Sequence, residues 1–150
     1  SALSDYLQDR YGLYLNGISL VSSIMNFETA QFKAGNDLPY TLFLPTYAAG
    51  AWYHKKLGGA YANADLPTVI AAAEKFVEEK YAPALMRGDA LTAAEKGELA
   101  KEEAALIGLP EAFVLQRNLR IDIFTFTTKL LEAQDRQLRL ALGASLARNA

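Results

Sequence analysis

Apolar positions recur at helical spacing along most of this chain and break that spacing once, near the start. The opening SALSDYLQDRYG puts Leu3, Tyr6, Leu7 and Tyr11 on one side of a helix over Ala2 to Tyr11, with Gly12 as its stop. LYLNGISLVSSIMNF comes next, and its stretch from Ile18 to Ile24 is short, apolar and rich in β-branched residues. Such a run suits a strand covered on both faces, as in a parallel sheet. A helix followed by such a strand is a fragment of α/β architecture. It is the only convincing strand in the pattern, and a lone buried strand has no partners for its backbone groups.

After the turn-like AGND of Ala34 to Asp37 the pattern is helical throughout. Pro39 and Pro45 sit where first-turn prolines belong, which predicts a short and a longer helix between Leu38 and Leu57, ended by Gly58 and Gly59. Asp65 is placed to cap a third helix, with Pro67 in its first turn, and Pro83 bends or breaks it. Thr92 and Glu95 have capping-box spacing ahead of AAEKGELAKEEAALI, and Gly108 closes that helix. Pro110 starts EAFVLQR, and a last long helix is expected over Ile121 to Leu140. The expectation is therefore a mainly α chain with one strand and about six helices.

Composition narrows the classes. The 150 residues are enough for one domain with a core, and 51% hydrophobic content argues against disorder. A net charge of −2 gives no electrostatic footprint for nucleic acid or an anionic membrane. No run of 18 apolar residues and no signal-peptide pattern is present. With no cysteine, disulfides, thiolate metal sites and cysteine nucleophiles are excluded.

Within the chain, chemistry is sparse. One histidine and scattered carboxylates give no metal set; Glu78/Glu79 and Glu102/Glu103 are adjacent pairs that read as a solvated helix face. Neither a Gly-rich phosphate loop nor a G-x-S-x-G elbow occurs, so no cofactor is predicted. His54 precedes Lys55 and Lys56 at a helix end, where a histidine commonly caps or faces solvent. The unusual stretch is TLFLPTYAAGAWYHKK, Thr41 to Lys56, dense in aromatics with polar tips. Tyr47 and Trp52, five apart, diverge by roughly 140° on a helical wheel. Tyr47, Trp52 and Tyr53 thus cannot share one narrow stripe, and they are the candidates for a substrate-pocket wall.

YLQDRYGLYLNGISLVSSIMNF and GNDLPYTLFLPTYAAGAWYHKKL together resemble bacterial members of the serine carboxypeptidase family. ALTAAEKGELAKEEAALIGLPEAFVLQRNLRIDIFTFTTKLL is similar to that family's helical cap insertion. The resemblance covers about Ala2 to Leu131 and fades from about Gln134. It implies a partial α/β-hydrolase fold: residues 1–33 as the helix and strand after the nucleophile elbow, and residues 34–150 as the helical cap. It implies that the Gly-Glu-Ser-Tyr-Gly elbow lies before Ala2 and that the aspartate and histidine of the triad lie beyond the cap. Ser1 and Ser4 are then not the nucleophile, and no catalytic residue falls within the chain.

The resemblance thus implies a serine carboxypeptidase whose cap shapes the pocket for a peptide substrate, with the parent periplasmic or secreted. Two other readings stand beside it, an acyltransferase of the same fold and a helical binding module without catalysis. The unpaired strand predicts that the isolated chain is a homo-oligomer. Nucleic acid and membrane are not expected as partners.

Overall fold

Helix starts in this chain are set by capping side chains and first-turn prolines. The computed structural model describes residues 2–21 and 23–132. The Asp65 carboxylate accepts from the Thr68 N–H at 3.2 Å and opens α3, Leu66–Phe76. Thr92 and Glu95 form the reciprocal capping box of α5, Ala93–Ile107, with bonds of 3.2 and 2.8 Å between each side chain and the other's backbone N–H. Gly108 ends α5 in the left-handed conformation, φ 68°, its N–H bonded to the Ala104 carbonyl. A short helix α6, Glu111–Gln116, comes after it, and Asp122 accepts from the Thr125 N–H at 2.9 Å to open α7 over residues 123–132. The expected helix from Ile121 therefore begins two residues later, and the part expected from 133 to 140 lies outside the described residues.

Two prolines lie inside helical stretches. Pro45 was expected to split the Leu38 to Leu57 stretch, yet α2, Leu38–Tyr53, runs through it without a break. Leu44, Tyr47, Ala48 and Ala51 on either side of the proline are all buried, so tertiary packing outweighs the roughly 3 kcal/mol helix penalty. The helix then stops at Tyr53 rather than Leu57. Lys56 N–H bonds to the Ala51 carbonyl, Lys55 N–H to that of Trp52, and Lys55 has φ 54°. That is a Schellman ending with a lysine in the glycine position. At Pro83, expected to bend or break its helix, the chain stays helical: α3 passes through a π turn, Val77–Tyr81, into α4, Ala82–Arg87. The Ala82 N–H bonds to the Val77 carbonyl, and this wider turn carries the chain past the missing proline donor.

The core lies between α2, α3, α5 and α7, with Leu44, Val69, Ile107, Val114, Ile121 and Phe126 among its buried members. Among the described residues its earliest members are Tyr40, Phe43 and Leu44, and Phe32 packs its ring against the first two. The first helix, α1, Ala2–Tyr11, forms as expected and ends at Gly12 with φ 62°, but buries no residue. The strand expected over Ile18 to Ile24 does not form; the described part of this stretch is irregular and exposed, and Ser22 lies outside the described residues. A single strand without neighbours leaves its N–H and C=O groups unpaired, so the backbone takes water instead. The bridging seen among the described residues is one isolated pair, Lys33 with Asn36. The chain is mainly α.

Candidate functional site

The aromatic helix α2 sends its three candidate side chains in different directions. Tyr47 is 3% exposed, its ring stacked on Phe126 with centroids 4.2 Å apart and planes 15° apart. Its hydroxyl is buried without a hydrogen-bond partner among the described residues. Burial, reinforced by nearby Asp122, Tyr40 and Glu103, holds the phenol's ionisation far above its usual range. Trp52 is half-buried, and its indole N–H donates to the Ala64 carbonyl at 2.8 Å, pinning the turn ahead of α3. Tyr53 is 75% exposed and meets His54 edge to face at 5.1 Å. One residue thus belongs to the core, one to its flank and one to the surface.

His54 is the last residue of the α2 turn, its backbone N–H bonded to the Gly50 carbonyl. Among the described residues no hydrogen bond or ion pair joins its ring to a carboxylate, so the base and orienter of a triad are not assembled there. Among the same residues no set of three or more His, Asp or Glu side chains could hold a metal ion. Nor is any described helix long and apolar enough to cross a membrane. Ser1 lies outside the described residues.

A polar cluster that the sequence did not announce lies at the junction of α2, the π turn, α5 and the turn before α7. Arg120 donates through Nε and Nη2 to the two carboxylate oxygens of Asp37, both at 2.7 Å. The Asp37 side chain is therefore not spent on capping α2. The hydrogen bond to Asp37 outweighs partial burial and raises Arg120's ionisation above the ordinary value. Tyr81, in the π turn, donates its hydroxyl to the Leu119 carbonyl. Asn118 and Leu119 hold φ of 51° and 65° to present that carbonyl, a backbone region that leucine seldom adopts.

Glu103 lies beside these groups. It is 2% exposed, one of its carboxyl oxygens has no partner among the described residues, and burial alone pushes its ionisation well above the carboxylate range. The adjacent pair Glu102/Glu103 was expected to form a solvated face. Only Glu102 does so, accepting from Lys80 at 2.6 Å, because one residue's rotation turns Glu103 into the apolar stripe of α5. A signal existed: Ala100, Glu103, Ala104 and Ile107 have i, i+3, i+4, i+7 spacing and are all buried. No comparable signal marked Asp37 and Arg120, which are 83 residues apart.

On the outer side of α5 a groove of about 660 Å³ runs between that helix and the π turn with α4. Pro83, Ala84, Leu91 and Leu99 supply apolar lining, and the ion pairs Lys80–Glu102 and Arg87–Glu95 cross its rim. The Arg87 bond, with the Thr92 cap, lowers the Glu95 ionisation to about 2. None of Tyr47, Trp52 and Tyr53 lines this groove. No protein-family model, no curated protein and no solved structure matches the chain.

Proposed function

We propose that this chain is the cap-bearing segment of a serine carboxypeptidase-like hydrolase. In that reading α1 and residues 17–24 belong to the α/β core, and the helices from α2 onward form the cap over the active site. The observation that supports it is the exposure of a segment composed for burial. From Tyr11 to Phe27 there is no charged residue, and every large apolar side chain from Leu13 to Phe27 is exposed, Val21 at 85%. Contiguous apolar surface of this kind marks a place that another surface covers. In a hydrolase, sheet strands on either side of residues 17–24 would pair its backbone and helices would cover both its faces.

The parent would release the C-terminal residue of a peptide through an acyl-enzyme, with serine as nucleophile, histidine as general base and aspartate as its orienter. None of these roles falls to a residue of this chain. The cap's contribution is to shape the pocket and exclude water, and Tyr53, exposed at the end of α2, is the aromatic residue best placed to face such a cleft. An acyltransferase on the same fold would use the same machinery with a different acceptor. A helical binding module is the second reading, and the groove beside α5 is what favours it.

One experiment separates them. The complete reading frame is expressed, treated with a serine-directed phosphonate, and assayed with a blocked dipeptide. The hydrolase reading expects labelling and release of the C-terminal residue, both lost when the elbow serine is changed to alanine, and no turnover by the 150-residue chain alone. Turnover by this chain that disappears in His54→Ala, or a complete frame that is neither labelled nor active, would overturn it.

A further inference from the structure

A buried carboxyl group in the middle of a helical stripe has to justify its place, and among the described residues Glu103 has no salt bridge to do so. Two described cations of the neighbouring elements are committed elsewhere: Arg120 to Asp37, Lys80 to Glu102. The titratable groups that face Glu103 are Tyr47 of α2 and Tyr81 of the π turn, both influenced by its charge. Charged residues of the other helices packed on α5, such as Glu74 of α3 and Glu111 of α6, are exposed, and Tyr61 of the turn before α3 is half-buried. An ionised carboxylate in this setting would be desolvated without compensation, a far larger penalty than the core's marginal stability can absorb.

We propose that Glu103 is a proton-operated latch: as the neutral acid it sits between α5, α2 and the π turn, and when its proton leaves for solvent the carboxylate withdraws and α5 parts from α2. Tyr47 lies within electrostatic reach of Glu103 from α2, with no hydrogen bond between them. Its orphaned hydroxyl and the orphaned Glu103 oxygen are the two buried side-chain polar atoms left unsatisfied among the described residues. Both are relieved when the helices separate and water enters. Because α5 also supplies Leu99, Lys101, Glu102 and Ala105 to the groove on its outer side, the proton controls the shape of that groove. The latch is independent of the hydrolase reading.

The sign comes from proton counting. Between the unfolded carboxyl value, about 4.3, and its own raised value, the native state binds one proton more than the unfolded state. Stability supplied by the buried neutral acid is complete below that window and is lost as pH rises through it. The unfolding equilibrium constant of the wild-type chain should therefore rise about tenfold per pH unit there, relative to Glu103→Gln and Glu103→Leu, which carry no proton to lose. Trp52 emission and near-ultraviolet circular dichroism should report the parting of α5 in the wild type alone. Carbon-13 labelling of glutamate carboxyls in the wild-type chain gives a reading that needs no variant: Glu103 should stay neutral at pH values where the exposed glutamates are already ionised. A Glu103 carboxyl that titrates in the ordinary range while the chain stays folded overturns the proposal, as do pH slopes that coincide in all three proteins.

Discussion

Gly108→Ala tests whether the end of α5 is packed as tightly against the end of α2 as the structure shows. Gly108 has φ 68°, and a Cβ built there would stand 2.9 Å from the Lys56 Cβ, 3.0 Å from the Lys56 carbonyl oxygen and 3.2 Å from the Ala51 Cβ. The left-handed backbone alone costs an alanine about 1–2 kcal/mol. The carbonyl contact adds to this, because Lys56 is already fixed by its N–H bond to Ala51 in the α2 ending and cannot swing aside. Overpacking of this kind costs about 1–3 kcal/mol, so the sum is roughly 2–5 kcal/mol. Gly97, in the middle of α5, supplies the control: its built Cβ meets nothing within 4 Å and its backbone is helical. Gly97→Ala should stabilise by about 0.5–1 kcal/mol through helix propensity alone. Urea unfolding followed by Trp52 fluorescence would read both changes, with slopes compared to confirm that the same surface is exposed. Opposite signs are expected from the same substitution in one helix and at its cap. A Gly108→Ala chain as stable as wild type would mean that the α5–α2 junction is looser than these distances.

Four further outcomes are expected. Lys55→Gly should stabilise by about 0.5–1 kcal/mol in thermal unfolding, since a lysine at φ 54° occupies the position that glycine fills without strain; a loss would show that the lysine side chain contributes more than its backbone costs. Thr92→Ala should destabilise by about 0.5–2 kcal/mol by removing the capping box, and a change within error would place the start of α5 elsewhere. Tyr47→Phe should raise stability by about 1 kcal/mol because it deletes an unsatisfied buried hydroxyl, whereas Trp52→Phe, which loses the bond to Ala64, should lower it; a destabilised Tyr47→Phe would mean that the hydroxyl has a partner in solution. The isolated chain should associate through residues 11–27, and light scattering that reports a monomer at every concentration would refute this.

The features legible in the sequence are those decided within four residues. Asp65 with Thr68, Thr92 with Glu95, and Gly108 after Ala104 each satisfy a helix end from neighbouring positions, so their spacing is sufficient. Lys55 marks the edge of this rule. The Gly58 and Gly59 pair offers an obvious stop, yet α2 ends at Tyr53, where the Lys56 to Ala51 bond can form. Pro45 and Pro83 are local signals that lose to packing: one lies between buried residues on α2, the other comes after a π turn that re-routes the missing bond.

The Ile18 to Ile24 stretch departs from expectation for the opposite reason. Its composition is apolar and uncharged, but a strand is a property of at least two segments, and the helical body offers it no edge to pair with. The polar cluster shows the same limit from the other side. Asp37 reads as part of a turn, and no local pattern pairs it with Arg120, because the contact that makes each of them structural joins positions 83 apart. Their meeting fixes the start of α2 against the turn before α7, and that turn holds Leu119 in a left-handed conformation with its carbonyl offered to Tyr81. Tyr81 in turn sits in the π turn whose wider bore accommodates Pro83 two residues on. The turn that accommodates Pro83 thus carries, in Tyr81, one of the groups that feel the charge of Glu103, which among the described residues is buried without a counter-ion.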